Sequence, residues 1–449
     1  MRTASRLRTV TAVALAGAML AACGGSAEDD AGGGNEGNGS ADGGGATTID
    51  MWVFAELHGA LYEEMTERWN EQNPDQQIDL QLTVYPYQDM HNNLQLAVNA
   101  GSGLPDVADI EVSKFGNFVR GSNPPLLPLN AAAEPYIEDI VQARLDLYSR
   151  DGNIYGYPTH VGGMVAFYNT ELLEEAGVDY TTIETWDDFE EAGIAYTEAT
   201  GRSFGPAPTE VTFVQSLVLA QLGGNLFDQN GDVAVDSPEV VEALELLAGM
   251  EESGALSTIP GGGPDTEEAF GAINNGDFAA IVYPGWYTSR FVDYMPDLDG
   301  KIAIAPAPII EGGEVLTIGG GGTGTSVLAD SPNAELAAEW LAFTKLSPEA
   351  NVAVWEVLGF DPVSMAVWDN QEVTHAEDNK FNQYFTTNLF DVLNEVRDGI
   401  GHFEAFSHPE FPTVDSMFTT SVLPQIFDSG TPVEEALAQA QSDLENQIG

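Results

Sequence analysis

The chain has 449 residues, of which 71 are Asp or Glu and 14 are Lys or Arg, giving a net charge of −57. Such a charge excludes nucleic acid and anionic lipid surfaces as partners, because like charge repels along the whole approach. The length exceeds one ordinary domain, the 43% hydrophobic content allows a packed core, and a single cysteine excludes any disulfide within the chain.

Residues 1–22 open with Arg2, Arg6 and Arg8, continue through an apolar run at 10–20, and close on Ala21-Ala22 ahead of Cys23. This is the layout of a secretory signal with a small-residue cleavage site. The apolar run is shorter than the roughly 20 residues that span a bilayer. A cysteine directly after such a site is where bacteria attach lipid, so the segment resembles a lipoprotein signal. The alternative is an ordinary signal peptide with an incidental cysteine. Lipidation of Cys23 implies an extracytoplasmic protein, anchored to the outer face of the cell membrane through that lipid. Loss of the three arginines takes the charge from −57 to about −60. Residues 23–47 are mostly Gly, Ser, Ala, Asn, Asp and Glu and cannot bury enough apolar surface to offset ordering entropy. As a flexible coil, about 20 such residues span roughly 25 Å, a tether for a body that starts at 48. The acids are spread along the chain instead of blocked. That pattern favours a solvated shell suited to a salt-loving or salt-alkaline habitat, where ions screen self-repulsion, over a cation store or a site for a basic ligand.

Residues 49–54 predict a strand, and 60–73 a helix with Leu61, Met65 and Trp69 on one face, stopped by Asn73-Pro74-Asp75. A strand at 77–85, a helix at 90–100 and a short strand at 106–110 follow. Extended segments are predicted at 154–158 and 164–168, helices at 170–177 and after the N-cap Thr185, then at 211–222, 238–253 and 266–275. Strands at 278–282, 301–305 and 325–328 precede helices at 333–346, 348–357, 379–395, 414–428 and 432–447. No repeat is visible. Strand–helix alternation predicts parallel sheets with crossover helices, whose ligands sit beyond the carboxyl ends of the strands.

Most chemical motifs fail on inspection. Residues 319–324 match the spacing GxGxxG, but no helix or acidic ribose partner follows and no lysine completes a phosphate loop. The six histidines (His58, His91, His160, His375, His402, His408) form no zinc spacing. No nucleophile elbow is present. With 71 acids, a catalytic carboxylate pair cannot be picked out. No cofactor is expected. What remains is aromatic and polar residues at strand ends, Trp286 foremost. There it serves either as a stacking face for a sugar ring or as plain core.

An ordered set of segments then carries a family resemblance: Trp69-Asn70-Glu71-Gln72-Asn73-Pro74, Gly103-Leu104-Pro105-Asp106-Val107-Ala108-Asp109-Ile110-Glu111, Ile154-Tyr155-Gly156-Tyr157-Pro158-Thr159-His160, Phe167-Tyr168-Asn169-Thr170, Thr185-Trp186-Asp187-Asp188-Phe189, Pro284-Gly285-Trp286-Tyr287 and Gly321-Gly322-Thr323-Gly324. The chain resembles the extracellular solute-binding proteins of the carbohydrate class, the receptors of ABC importers. It is similar to maltose-binding proteins and closer to arabinose- and lactose-binding lipoproteins. The resemblance implies an α/β fold of the periplasmic-binding-protein type II, two hinge-linked lobes with a ligand cleft. Lobe I takes 48–160 and 308–345, lobe II takes 161–307 and 346–449, and crossings fall near 158–165, 305–309 and 346. It implies a monomer that captures a neutral mono- or oligosaccharide, not an enzyme, and hands it to importer permease subunits. Ligand contacts carried over are Glu56, His58, Glu111, His160, Glu210, Phe213, Trp286, Tyr287, Gly320, Gly321, Gly322 and Asp361, with Tyr87 and Trp355 as weaker candidates. Lys114 is the one cation near these positions, which disfavours an anionic sugar. The competing readings are a secreted glycan-active lipoprotein enzyme and a sensory or non-sugar solute-binding lipoprotein.

Overall fold

The computed structural model describes residues 45–448, so the signal, Cys23 and most of the tether lie outside the described residues. The first strand, β1 (Thr47–Val53), is followed by α1 (Glu56–Gln72), β2 (Ile78–Val84), α2 (Tyr87–Ala100) and β3 (Val107–Glu111). β1 lies parallel to both β2 and β3, the unit that strand–helix alternation predicts. α2 stops at Gly101, whose φ of 61° supplies the left-handed cap.

Beyond β3 the two main sheets are completed by antiparallel pairing. β4 (Tyr157–Pro158) crosses into β5 (Met164–Asn169), which is the central strand of a second sheet between β6 (Ala280–Pro284) and β7 (Ile302–Pro306). Both neighbours run antiparallel to β5. β8 (Thr323–Val327) then returns to the first sheet, antiparallel to β3 and β4, completing the order β2-β1-β3-β8-β4. The expectation of parallel sheets is therefore corrected for both: the first sheet is mixed, and in the second β5 runs antiparallel to each neighbour. β6 and β7 are parallel to each other and joined by a helix, but β5 is inserted between them. A strand–helix–strand pattern does not reveal such an insertion.

The second sheet is buried on both faces. Along β5, Met164, Ala166 and Tyr168 enter one apolar core while Val165 and Phe167 enter another. This is the period-two alternation of a strand covered on both sides. Helices supply the cover. The helix at Trp186–Thr200 starts with a capping box, in which the Thr185 hydroxyl accepts from Asp188 N and the Asp188 carboxylate accepts from Thr185 N. The helix at Ala334–Leu346 packs on α1, and residues 348–358 stay beside it, with Gln72 Nε2 donating to Glu349 at 3.0 Å.

One predicted helix is broken. Residues 379–395 form two helices, Lys380–Tyr384 and Leu389–Val396, with extended chain between them. There Thr386 N donates to Ile302 O, and the Thr387 hydroxyl accepts from Ile304 N at 2.6 Å and donates to Ile304 O at 2.8 Å. The gap satisfies the free edge of β7, which outweighs the helical propensity of the run. Thr387→Val keeps the shape but leaves the Ile304 amide unpaired. A loss of about 1–3 kcal/mol in urea unfolding is expected, with an unchanged slope.

Candidate ligand site

A cavity of about 450 Å³ opens beyond the carboxyl ends of β1, β3 and β6, within the roughly 300–1,000 Å³ typical of small-molecule sites. From the first sheet its wall takes Phe54, just after β1, His58 on α1, Tyr87 on α2 and Glu111 at the end of β3. From the second-sheet side come Tyr283 on β6, Trp286 and Arg290 in the turns after it, Asp265 in an earlier loop, and Glu210, Thr212 and Phe213 at the start of the helix Phe213–Gln221. Gly321 and Gly322 bound it where the chain returns to β8, and Phe360, Phe406, Phe411 and Asp415 complete it from the C-terminal quarter.

The polar groups are preset. Asp109, fully buried behind the wall, accepts from Tyr62 OH at 2.6 Å and Thr325 Oγ1 at 2.7 Å, and stands 3.2 Å from His58 Nδ1. A carboxylate only accepts, so His58 Nδ1 carries a proton toward Asp109, and the other ring nitrogen, Nε2, belongs to a side chain that lines the cavity. Burial pushes Asp109 up, but His58, Lys345 and Tyr62 outweigh it and hold the carboxyl below its ordinary range. Lys345, also fully buried, donates to Tyr62 OH and Thr159 Oγ1, and burial lowers its pKa to about 8.

Glu111 caps the short helix at Val112–Phe115. Its Oε2 accepts from Ser113 N at 2.7 Å, Ser113 Oγ and Tyr87 OH, while Oε1 has no protein partner among the described residues. Burial raises its pKa, as it does for Asp415. Trp286 is held by a bond from Nε1 to Gly320 O at 3.0 Å, with the Arg290 guanidinium 5.3 Å from its ring centroid and Tyr283 edge-on at 5.3 Å. Arg290 grips Asp265 with both arms, at 2.7 and 3.2 Å, and Lys114 lies 3.9 Å from Asp415. The arginine and the lysine of the wall are thus both paired with carboxylates, which disfavours an anionic ligand.

His160 is 4% exposed and neither ring nitrogen has a hydrogen-bond partner. Burial, then Arg144, His58, Lys345 and Arg290, hold its pKa well below the ordinary range, so the ring is neutral. Phe360 stands against it at 4.9 Å.

Of the candidates read from the sequence, His58, Tyr87, Glu111, His160, Glu210, Phe213, Trp286, Gly321 and Gly322 share this wall. The others do not. Glu56 is exposed on the first turn of α1. Tyr287 is fully buried, its hydroxyl donating to Pro264 O at 2.7 Å. Gly320 sits behind the wall as the acceptor for Trp286. Asp361 is fully buried and bonded to backbone amides. Trp355 is packed in the core against Phe381 and Phe390. Sequence reading missed Arg290, although its spacing of four from Trp286 is the one-turn spacing of a helix. It also missed Phe360, Phe406, Phe411 and Asp415, for which no local signal exists. Among the described residues no group of three or more acidic, histidine or cysteine side chains is placed to hold a metal, and no helix is long and apolar enough to cross a membrane.

The bacterial extracellular solute-binding protein family matches residues 54–349. The chain is 43% identical over 402 residues, 89% of each protein, to an arabinooligosaccharide-binding protein of Halalkalibacterium halodurans. It is 40% identical over 402 residues, 89% of this chain and 92% of the relative, to an arabinooligosaccharide-binding protein of Bacillus subtilis. In three dimensions it is similar to an ABC-transporter-associated binding protein from B. animalis subsp. lactis solved with β-1,6-galactobiose, with TM-score 0.74 and 22% identity over 89% of this chain and 97% of that one. That likeness establishes the two-lobed α/β fold of sugar-binding receptors.

Proposed function

The chain belongs to the bacterial extracellular solute-binding protein family, and we propose that it captures a neutral arabinose-containing oligosaccharide and delivers it to the permease subunits of an ABC importer. The observation that carries this reading is the composition of the cavity. Trp286, fixed through its indole N–H, offers an aromatic face, while Glu111 Oε1 and His58 Nε2 have no protein partner among the described residues and remain for ligand hydroxyls. Carbohydrate rings pair an apolar face with hydroxyls that need such partners. The paired state of Arg290 and Lys114 disfavours an anionic ligand. The arabinose preference is supported by the relatives at 43% and 40% identity. His160, Glu210, Phe213, Gly321 and Gly322 are proposed as further contacts, and closure of the lobes around the ligand as the capture step.

Binding is tested by isothermal titration of the chain lacking its first 23 residues with arabinotriose and with a uronic-acid oligosaccharide. Arabinotriose binds, and at 100 times its dissociation constant it stabilises the fold by roughly 2.7 kcal/mol, whereas the acidic sugar does not bind. Trp286→Ala weakens binding by about 30-fold or more, the measure of a buried aromatic anchor. Equal affinities remove Trp286 from the site, and silence toward every neutral oligosaccharide removes the reading.

We also propose lipid attachment at Cys23, with the following Gly-rich segment as tether, so that the receptor is concentrated beside its membrane partner. Cys23→Ala then moves the protein from the membrane fraction to the medium; retention on the membrane refutes the anchor. The charge of −57 fits a salt-rich setting. The melting temperature is accordingly higher in molar salt than at millimolar ionic strength, and identical values count against that setting.

A further inference from the structure

Residues 160–163 carry the chain from β4 in the first sheet to β5 in the second, and other segments converge on them. Asp361, fully buried, accepts Gly162 N on Oδ1 at 3.0 Å and Gly163 N on Oδ2 at 2.9 Å, while its carbonyl accepts Val161 N at 2.9 Å. Gly162 O accepts from Gly320 N and Gly163 O from Gly285 N, each at 2.8 Å. Arg144 spans the same point, donating to His160 O at 3.2 Å and to Gly321 O at 2.6 Å. Gly162 has φ of 69°, and a side chain there would meet Gly320 O at 2.7 Å, so the approach of these backbones requires glycine. Each converging segment also carries a wall residue close by: His160, Trp286, Gly321 and Phe360.

We propose that Asp361 is a positioning residue for ligand capture, its carboxylate clamping the 162–163 amides so that the four wall-bearing segments hold one register. This rests on the reading of the cavity as the ligand site. Asp361 does not line the cavity and acts through the backbone it binds. The ionised carboxylate accepts both N–H groups, one on each oxygen. Protonation turns one oxygen into an O–H that faces an N–H, and half of the clamp is lost. Burial pushes this carboxyl up to about 7, against the two amide bonds and the Arg144 guanidinium, which favour the charged form. The titratable and charged groups facing the clamp are Arg144 and His160, and His160 stays neutral. The clamp is therefore made above pH 7 and is weakened as pH falls through 7.

The test uses Asp361→Asn in the chain lacking its first 23 residues, with two readouts. Without ligand, hydrogen exchange of the segment 161–164 speeds up at least tenfold in D361N, because one amide loses its acceptor. With arabinotriose, affinity falls about tenfold, the scale of one hydrogen bond to a charged group. Wild-type affinity drops several-fold between pH 8 and pH 6, and D361N loses most of that drop, leaving only what Lys345, with a pKa of about 8, contributes. Unchanged exchange together with a wild-type pH profile in D361N overturns the proposal. If wild-type protein does not bind arabinotriose, the ligand reading fails, and the exchange experiment still decides the clamp. If D361N does not fold, wild-type exchange at pH 6 and pH 8, corrected for intrinsic rates, decides it: equal protection at both overturns the clamp.

Discussion

Much of the first lobe is organised by one buried charge. Asp109 sits on β3 with no exposure, and a lone carboxylate there would be prohibitively costly. It is satisfied from three directions, by His58 and Tyr62 on α1, by Thr325 on β8, and through Tyr62 by Lys345 at the end of the helix that returns from β8. These contacts bind β3, α1, β8 and that helix into a single polar node. The node reaches the cavity twice, through His58 and through Thr159, which is hydrogen-bonded to Thr323. Ligand-facing polarity is thus a surface extension of a fold-determining network, which explains why the wall can be preset before any ligand arrives.

The same economy of charge governs the cleft. A protein of −57 has few cations, and those on the wall are committed to carboxylates, Arg290 to Asp265 and Lys114 to Asp415. Arg144 is different: it is buried without an ion pair among the described residues and donates instead to the His160 and Gly321 carbonyls. Its charge faces Asp361 and adds to the forces that keep His160 neutral. A cation placed behind the wall, not on it, shapes backbone and protonation without offering itself to an anionic ligand.

The sequence was legible where local pattern and fold agree. Apolar periodicity and terminators such as Asn73-Pro74 and Gly101 marked the β1–α1–β2–α2–β3 run to within a few residues. The second sheet was not legible in direction, because β5 separates two strands that a helix joins. The break at 385–388 was hidden because its cause is the edge of β7, some 80 residues away. In the site, His58, Glu111 and Trp286 stand out since each sits just beyond a strand's carboxyl end. Tyr287 misled for the reason that Trp286 did not: neighbours on a helical turn point in different directions, and Tyr287 turns into the core. Asp415 lies more than 300 residues from Glu111 and meets it only through the tertiary fold.

Wall and crossing share atoms. Gly320 O accepts the Trp286 indole while Gly320 N binds Gly162 O, and Phe360 precedes the carboxylate that holds Gly162 and Gly163. Residues 160–163 link the first sheet to the second, so a change in the angle between the sheets would move the groups proposed to meet a ligand. Conversely, a ligand held by Trp286 and Phe360, as proposed, would fix the crossing. In a two-state receptor, closure need carry only the difference in contact energy between open and closed arrangements. Under the proposed reading, routing both through one set of backbone hydrogen bonds would convert that difference directly into lobe geometry, without a separate relay.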